Sequence, residues 1–275
     1  MRYFKEHPAF RRIAREIREI RSLHITTYAG YAGYFMILSL FPTLVLMLGI
    51  LRYTPLKPED LMDLLEGFLP ATLADDAWGV LMAAYENSSR TVISLSALAA
   101  VWSAGKGIYG LMKGLNAIYG ATEHRGWIRT RLLCGVYLVF FLLVLLLTLV
   151  LHVFGSTLVT FLHHRGGKLA ALARQLGGLR YFLLVAVQTL LFTALFMFLP
   201  DRNNRFCDSL PGALFASFGW MTVSGFFGIY VDRFSGYARI FGSVYTVAIA
   251  MLWLYICVNT LFFGGVLNRY LMKLK

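Results

Sequence analysis

The segment VWSAGKGIYGLMKGLNAIYG, residues 101 to 120, places a lysine well inside a stretch that has the apolar character of a membrane span. A charge at the centre of a bilayer costs about 3 kcal/mol or more, so Lys106 needs a physical reason to be there. On a helix, Lys106 shares one face with Ser103, Gly110 and Lys113, and the bulkier side chains lie opposite. A cation on such a face points toward other helices, where it has the chemistry to bind an anionic group.

The alternative for Lys106 is that it only reaches the lipid headgroups. This span is expected to run from outside to inside, so Lys106 lies in its cytoplasmic half, where a long side chain can extend to the membrane surface. The same explanation suits Lys113, which lies nearer the interface. The sequence leaves both interpretations of Lys106 open.

Two sets of candidate residues follow from the polar and helix-distorting positions in the apolar segments. The candidate substrate-binding residues are Ser103, Lys106, Lys113, Asn116 and Asn259. The candidate gating or structural residues are Pro42, Gly110, Pro211, Gly212, Asp232 and Gly242. Pro42 leaves a backbone carbonyl free and is expected to kink its helix. The segment YVDRFSGYARIFGS, which contains Asp232 and Gly242, is expected to be either a gate or re-entrant turn, or an ordinary tight external connection.

The sequence shows no pattern for enzymatic chemistry. Its six histidines lack the HxH, HExxH or HxxxH spacing, with acids nearby, that would hold a metal. A phosphate-binding P-loop and a GxSxG nucleophile motif are also missing from the sequence. We therefore expect no catalytic residues, no metal and no cofactor, and we predict that the protein is not an enzyme.

The composition indicates a membrane protein. Of 275 residues, 58% are hydrophobic and only 15% are charged, which is more apolar surface than a soluble domain can bury. Three widely separated cysteines offer no disulfide framework. The formal net charge of +12 is explained by cytoplasmic loops and contacts with lipid headgroups, so no nucleic-acid partner is predicted.

The predicted fold is all-α, a polytopic membrane protein with six transmembrane helices. Each helix needs about 20 apolar residues to cross the hydrocarbon core. The six stretches that qualify are Tyr28 to Leu51, Thr91 to Leu111, Leu132 to Leu158, Tyr181 to Leu199, Leu210 to Tyr230 and Ile240 to Leu267.

The distribution of basic residues predicts the orientation of the spans. The segment before the first span is rich in arginine and lysine, and the connection from Arg52 to Arg90 has few basic residues and many acids. This asymmetry places the N-terminus in the cytoplasm, and an even number of spans returns the C-terminus to the same side. The loop from Val159 to Arg180 is also basic although it should be external, so the prediction depends mainly on the N-terminal segment.

Amphipathic segments complete the predicted organisation. Residues 8–23 have the spacing of a basic amphipathic helix, which either lies under the cytoplasmic leaflet or packs on the protein's own loops. The connection between the first and second spans, which is predicted to be external, has the pattern of two short amphipathic helices broken at Pro70. The predicted regions are a cytoplasmic helix at 1–27, a transmembrane domain at 28–270 with an external insertion at 52–90, and a cytoplasmic tail at 271–275.

Over residues 10 to 270 the chain resembles the YihY/BrkB family of bacterial inner-membrane proteins. The resemblance rests on AGYFMILSLFPTLVLML, VWSAGKGIYGLMKGLNAIYG, PGALFASFGW and FGSVYTVAIAMLWLYICVNTLFFGGVLN. The family's last motif usually ends in a Gly-Ala-Glu-Leu-Asn type of sequence, whereas this chain has Val266 at the acidic position. A mechanism that uses a carboxylate there is therefore not expected for this protein.

The resemblance implies a six-helix inner-membrane protein with both termini in the cytoplasm. Many members have been catalogued as ribonuclease BN, while others are associated with virulence, serum resistance, and export of envelope lipid or lipopolysaccharide. The resemblance thus implies membrane lipids as partners, with an anionic lipid or a lipopolysaccharide-related molecule as the expected substrate class.

Three functional hypotheses remain. The leading one is a transporter or flippase-like exporter of an anionic amphiphile or lipid. The alternative is an envelope scaffold that transports nothing, with a homo-oligomer face along Ser217, Ser224 and Gly228. The third hypothesis, a membrane-bound ribonuclease, needs a metal and a base that the sequence does not present.

Overall fold

The computed structural model describes residues 18, 21–51, 82, 89–126, 128–138, 140, 182, 185–233 and 235–274. Helices account for most of these residues, and no strand occurs within these ranges. The predicted all-α class is confirmed for this part of the chain. The predictions for most of the basic N-terminal helix, for the external insertion and for most of the third span fall outside the described residues.

Six helices make up the described chain. They are α1 (Ile25–Leu51), α2 (Arg90–Tyr119), α3 (residues 128–138), α4 (Val185–Phe198), α5 (Phe206–Arg233) and α6 (Ser235–Leu274). Within the described ranges, three stretches are long and apolar enough to cross a membrane: Thr91–Tyr119, Phe206–Tyr230 and Val247–Leu274. The second, fifth and sixth predicted spans are therefore confirmed as apolar helices of membrane-crossing length.

Two predicted boundaries were wrong. Helix α2 continues past Leu111 to Tyr119, and the predicted connection between the fifth and sixth spans is almost entirely helical. Asp232 lies in the last turn of α5 and Gly242 lies inside α6, so neither residue lies in a loop. The physical reason is that the segment contains no proline, and an interior glycine costs a helix only about 1 kcal/mol.

The chain divides into two compact units. Unit one contains Met1–Gly33 and Ile108–Lys275, and unit two contains Tyr34–Gly107. In unit one, α5 and α6 pack antiparallel to each other. Their paired positions are Gly212 with Gly264, Gly219 with Thr260, and Ser224 with Trp253.

The start of α1 packs closely against α2 at Gly110. A Cβ added at Gly110 would lie 2.7 Å from the Tyr31 ring and 3.1 Å from Ala32, so only glycine allows this approach. Further along, Asn268 of α6 lies 3.5 Å from the hydroxyl of Tyr119, the last residue of α2. The start of α1 therefore lies at the same end of unit one as the ends of α2 and α6.

Hydroxyl groups connect α5 to the neighbouring helices α4 and α6. Thr189 Oγ1 of α4 donates to Ser217 Oγ at 3.0 Å, and Trp253 Nε1 of α6 donates to Ser224 Oγ at 3.2 Å. Ser217 is fully buried. The predicted homo-oligomer face was therefore wrong for Ser217, because its hydroxyl is used within the chain.

Candidate functional site

Lys106 is held between two aromatic rings. Its Nζ lies 3.9 Å from the ring centroid of Trp102, one turn earlier on α2, and 4.8 Å from that of Phe35 on α1. All three residues belong to unit two. Ring faces attract a cation through their quadrupole, at about 0.5–2 kcal/mol per contact, and they leave its charge intact. The ammonium is therefore stabilised inside an apolar segment and still able to attract an anion.

Part of the small-residue face of α2 that carries Lys106 is buried. Ser103 is buried and its hydroxyl donates to the Ala99 carbonyl at 2.6 Å, whereas Leu95 and Val101 are exposed. Among the described residues, no carboxylate oxygen lies within 4 Å of Lys106. Because the Ser103 hydroxyl bonds to its own helix, Lys106 is the group in this region that suits an anion.

The other predicted substrate-binding residues have partners of their own. Lys113 Nζ lies 5.4 Å above the Tyr109 ring, and Asn259 Nδ2 donates to the Tyr255 carbonyl one turn away at 2.8 Å. Both partners lie on the same helix as the residue itself. The contacts of these residues therefore do not join them into one site, and their role in binding stays a prediction.

Asn116, the fifth of these residues, instead joins two loops of unit one. It is buried; its Nδ2 donates to Glu123 Oε2 at 2.8 Å, and its Oδ1 accepts from the backbone N–H of Asp201 at 2.8 Å. Glu123 lies between α2 and α3, and Asp201 lies between α4 and α5. We call this group the loop clasp, and it consists of Asn116, Glu123, Arg125, Asp201 and Arg202.

Two arginines of the loop clasp bind the ends of helices. The Arg125 guanidinium donates from Nη1 to the Leu199 carbonyl at 3.2 Å and from Nη2 to the Pro200 carbonyl at 2.9 Å, and its Nε lies 3.1 Å from Asp201 Oδ1. Arg202 Nη1 donates to the Tyr119 carbonyl at 3.2 Å. Carbonyls at a helix C-terminus lack hydrogen-bond donors within the helix and carry partial negative charge. A guanidinium donates hydrogen bonds to them, and its positive charge offsets theirs.

The electrostatics of the loop clasp favour an ionised Asp201. The backbone N–H of His124 donates to Asp201 Oδ2 at 2.8 Å, and with the nearby positive charge of Arg125 it lowers the pKa of the carboxyl below 3.8. Partial burial opposes this shift and is outweighed. Asp201 therefore remains a carboxylate at neutral pH and pairs with Arg125.

A second buried polar group lies where α5 meets α6. Asn268 Oδ1 accepts from the backbone N–H of Gly212 at 2.6 Å, and its Nδ2 donates to the Ser209 carbonyl at 3.0 Å. A Cβ at Gly212 would overlap the carbonyl oxygen of Gly264. Pro211 and Gly212 thus serve a structural role, in which a side chain from α6 bonds to the backbone of the first turns of α5.

Pro42 and Val266 both lie inside helices. Helix α1 continues through Pro42 without a break, and the Thr43 hydroxyl donates to the Ser39 carbonyl at 2.6 Å. Val266 is half-buried in α6, two residues before Asn268.

Within the described part of the chain, no group of three His, Cys, Asp or Glu residues could hold a metal ion.

Sequence reasoning missed the residues with the richest polar contacts, namely Glu123, Arg125, Asp201, Arg202 and Asn268. A usable signal was present for the loop clasp. With six alternating spans, the loops after the second and fourth spans fall on the same side of the membrane, and both carry acids and arginines. Opposite charges in two loops on one side favour pairing between them.

These features define an all-helical membrane protein whose helices are joined by buried polar contacts. The family model described as Virulence factor BrkB matches residues 17–274. The chain therefore belongs to the BrkB family, which confirms the family predicted from the motifs.

Two relatives extend the comparison. The chain is 29% identical over 241 residues to the ribonuclease-like protein YfkH of Bacillus subtilis, an alignment that covers 88% of each chain. It is 34% identical over 76 residues to a UPF0761 membrane protein of Pseudomonas paraeruginosa, which covers 28% of this chain and 18% of that protein. No solved structure matches the chain.

Proposed function

We propose that this protein is a multi-pass transporter of the bacterial inner membrane that moves an anionic amphiphile, a phospholipid or a related lipid, between the leaflets. The observation that carries the proposal is the ammonium of Lys106, held over the rings of Trp102 and Phe35 on a helix of membrane-crossing length. A charge kept in an apolar segment at this cost is a functional site by default.

The contacts around Lys106 suit both parts of an amphiphile. The ammonium has donors for phosphate or carboxylate oxygens, and a charge-assisted hydrogen bond contributes about 1.5–3 kcal/mol. Leu95 and Leu98 are exposed on the preceding turns of α2 and add apolar surface beside the Trp102 ring, suited to an acyl chain. Trp102 is 48% exposed, so its indole lies at the junction of the charged and apolar regions.

The topology that we propose has six spans with both termini in the cytoplasm. Two observations support it: the basic N-terminal segment, and the shared end of unit one at which α1 begins and α6 ends. The partners that we propose are membrane lipids. Moving an amphiphile requires binding and release, so no catalytic residue, metal or cofactor takes part, and the protein is not an enzyme.

Flux of a fluorescent phosphatidylglycerol across the bilayer of proteoliposomes tests the proposal. We expect faster flux than in protein-free vesicles, and a loss of about tenfold in Lys106→Gln, since one charge-assisted contact is removed. Lys273→Gln, which removes an exposed charge from the last turn of α6, is the matched control and should keep the wild-type rate.

Two results would contradict different parts of the proposal. Full flux in a Lys106→Gln protein with the wild-type thermal midpoint would remove Lys106 from the site while leaving transport in place. Absence of flux in the wild-type protein would contradict transport itself. A stable partner that co-purifies with such an inactive protein would favour the envelope scaffold.

A further inference from the structure

A groove of about 540 Å³ lies beside the first turn of α3. Its described lining residues are Gly126, Ile128, Arg129 and Leu132. A Cβ added at Gly126 would meet nothing within 4 Å, so the groove is open beside the loop clasp. The groove belongs to unit one, whereas Lys106 belongs to unit two.

An apolar stripe extends from this groove along α3. Ile128, Leu132 and Val136 follow one another at intervals of four residues and are 68%, 66% and 66% exposed. Residues four apart lie on the same face of a helix. In a membrane protein, such a continuous apolar face is suited to hydrocarbon, and it offers no hydrogen-bonding group that would orient a protein partner.

The charge at the groove identifies the polar part of the ligand. Arg129 is an exposed cation in the first turn of α3 and lines the groove. A guanidinium binds phosphate oxygens through two parallel hydrogen bonds and is better suited to this than a lysine. A cation at one end of an apolar stripe matches the order of groups in an anionic phospholipid.

We infer that this groove binds one phospholipid with an anionic headgroup, with the phosphate at Arg129 and an acyl chain along Ile128, Leu132 and Val136. The inference is independent of the proposed function, because a lipid bound here contributes to the α3 surface whether or not the protein transports lipid. If a protein covered this face instead, replacing an anionic headgroup by a neutral one would not change the amount of lipid that the protein retains.

Native mass spectrometry of the full chain, released from nanodiscs, tests the inference. The probes are phosphatidylglycerol and phosphatidylcholine with identical acyl chains. We expect one retained phosphatidylglycerol per chain and less phosphatidylcholine, with phosphatidylglycerol occupancy falling about tenfold in Arg129→Gln. Arg129→Lys should retain part of it, and Leu132→Ser should weaken both lipids. Arg205→Gln, which removes an exposed arginine from the α4–α5 loop, should match the wild type.

Three results would overturn the inference. They are equal retention of the two lipids by the wild-type protein, full phosphatidylglycerol retention by a folded Arg129→Gln protein, and crosslinking of Leu132→Cys to another protein in the membrane. A folding defect in any variant is detected by its thermal midpoint. In that case the ratio of phosphatidylglycerol to phosphatidylcholine retained by the wild-type protein tests the inference without that variant.

Discussion

Arg125 and Arg202 bind each other's helix ends. Each arginine lies in the loop that follows one helix, and each donates to carbonyls at the end of the other helix: Arg125 to Leu199 and Pro200 beyond α4, and Arg202 to Tyr119 of α2. The exchange fixes the C-terminal ends of α2 and α4 to one another. Any movement of one helix end in unit one must therefore carry the other or break these contacts.

Replacing Arg125 should destabilise unit one. The Arg125 side chain is 18% exposed, and its loss leaves two carbonyls without their guanidinium donor and the Asp201 carboxylate without its ion-pair partner. We expect Arg125→Ala to lower the free energy of unfolding by about 2–4 kcal/mol. Thermal unfolding in a mild detergent measures the change.

Arg125→Lys distinguishes loss of charge from loss of geometry. A lysine keeps the charge and lacks the planar fork that donates to both carbonyls, so it should recover less than half of the stability. Arg205→Gln, in the α4–α5 loop, should leave the midpoint unchanged. Wild-type stability in Arg125→Ala would mean that the loop clasp does not hold the helix ends.

The contribution of Asp201 should depend on pH. Its pKa in the folded protein lies below the ordinary value of 3.8, so the unfolded chain binds more protons near that pH and stability rises as pH rises. The contribution is fully present above about pH 5 and is lost as pH falls through the folded pKa. The stability difference between wild type and Asp201→Asn should therefore stay constant above about pH 5 and shrink as the pH falls from about 5 to 3. A difference that stays constant over this range would contradict the pairing of Asp201 with Arg125 and His124.

Asn268 should be more important for stability than another asparagine on the same helix. Asn268→Leu removes the partners of the Gly212 N–H and the Ser209 carbonyl in a buried site, at a cost of about 2–3 kcal/mol. Asn259→Leu is the matched control. Among the described residues, Asn259 bonds only to a carbonyl of its own helix, so this variant should cost less than about 1 kcal/mol. Equal midpoints for the two variants would contradict the role assigned to Asn268.

The close approach of α5 and α6 predicts different effects for two glycines of α5. Gly212→Ala places a methyl group against the Gly264 carbonyl and should destabilise the protein by about 1–3 kcal/mol. The methyl group of Gly225→Ala would meet nothing within 4 Å. This variant should be neutral or stabilising by up to about 1 kcal/mol, because alanine favours the helix. Unfolding midpoints of the two variants test this, and a neutral Gly212→Ala would show that the helices can separate there at little cost.

The sequence predicted the helices well where their pattern is local. The period of small residues in α2 placed Ser103 and Gly110 on the buried face, and apolar length identified the spans that became α2, α5 and α6. The boundary before α6 was wrong because Gly236, Arg239 and Gly242 have the composition of a loop. Neighbouring helices can override that local preference, and a single sequence does not reveal them.

The polar contacts could be predicted only in part. The loop clasp joins residues more than seventy positions apart, such as Asn116 and Asp201, and its partners depend on how the loops after α2 and α4 meet. Asn268 ends the last of the motifs that resemble the family. Its bonds to Gly212 and Ser209 could not be predicted, because they depend on how closely α6 approaches α5. Lys106 was predicted as an unusual cation, whereas its ring partner Phe35 lies on another helix and was not predicted.

Headgroup selectivity tests the central claim most directly, namely that Lys106 binds the anionic group of the transported amphiphile. The measurement is the ratio of phosphatidylglycerol flux to phosphatidylcholine flux in proteoliposomes, with identical acyl chains. We predict a ratio well above one for wild type, a similar ratio for Lys106→Arg, and a fall of about tenfold toward one for Lys106→Gln. A ratio that is the same in wild type and in a folded Lys106→Gln protein would contradict the claim.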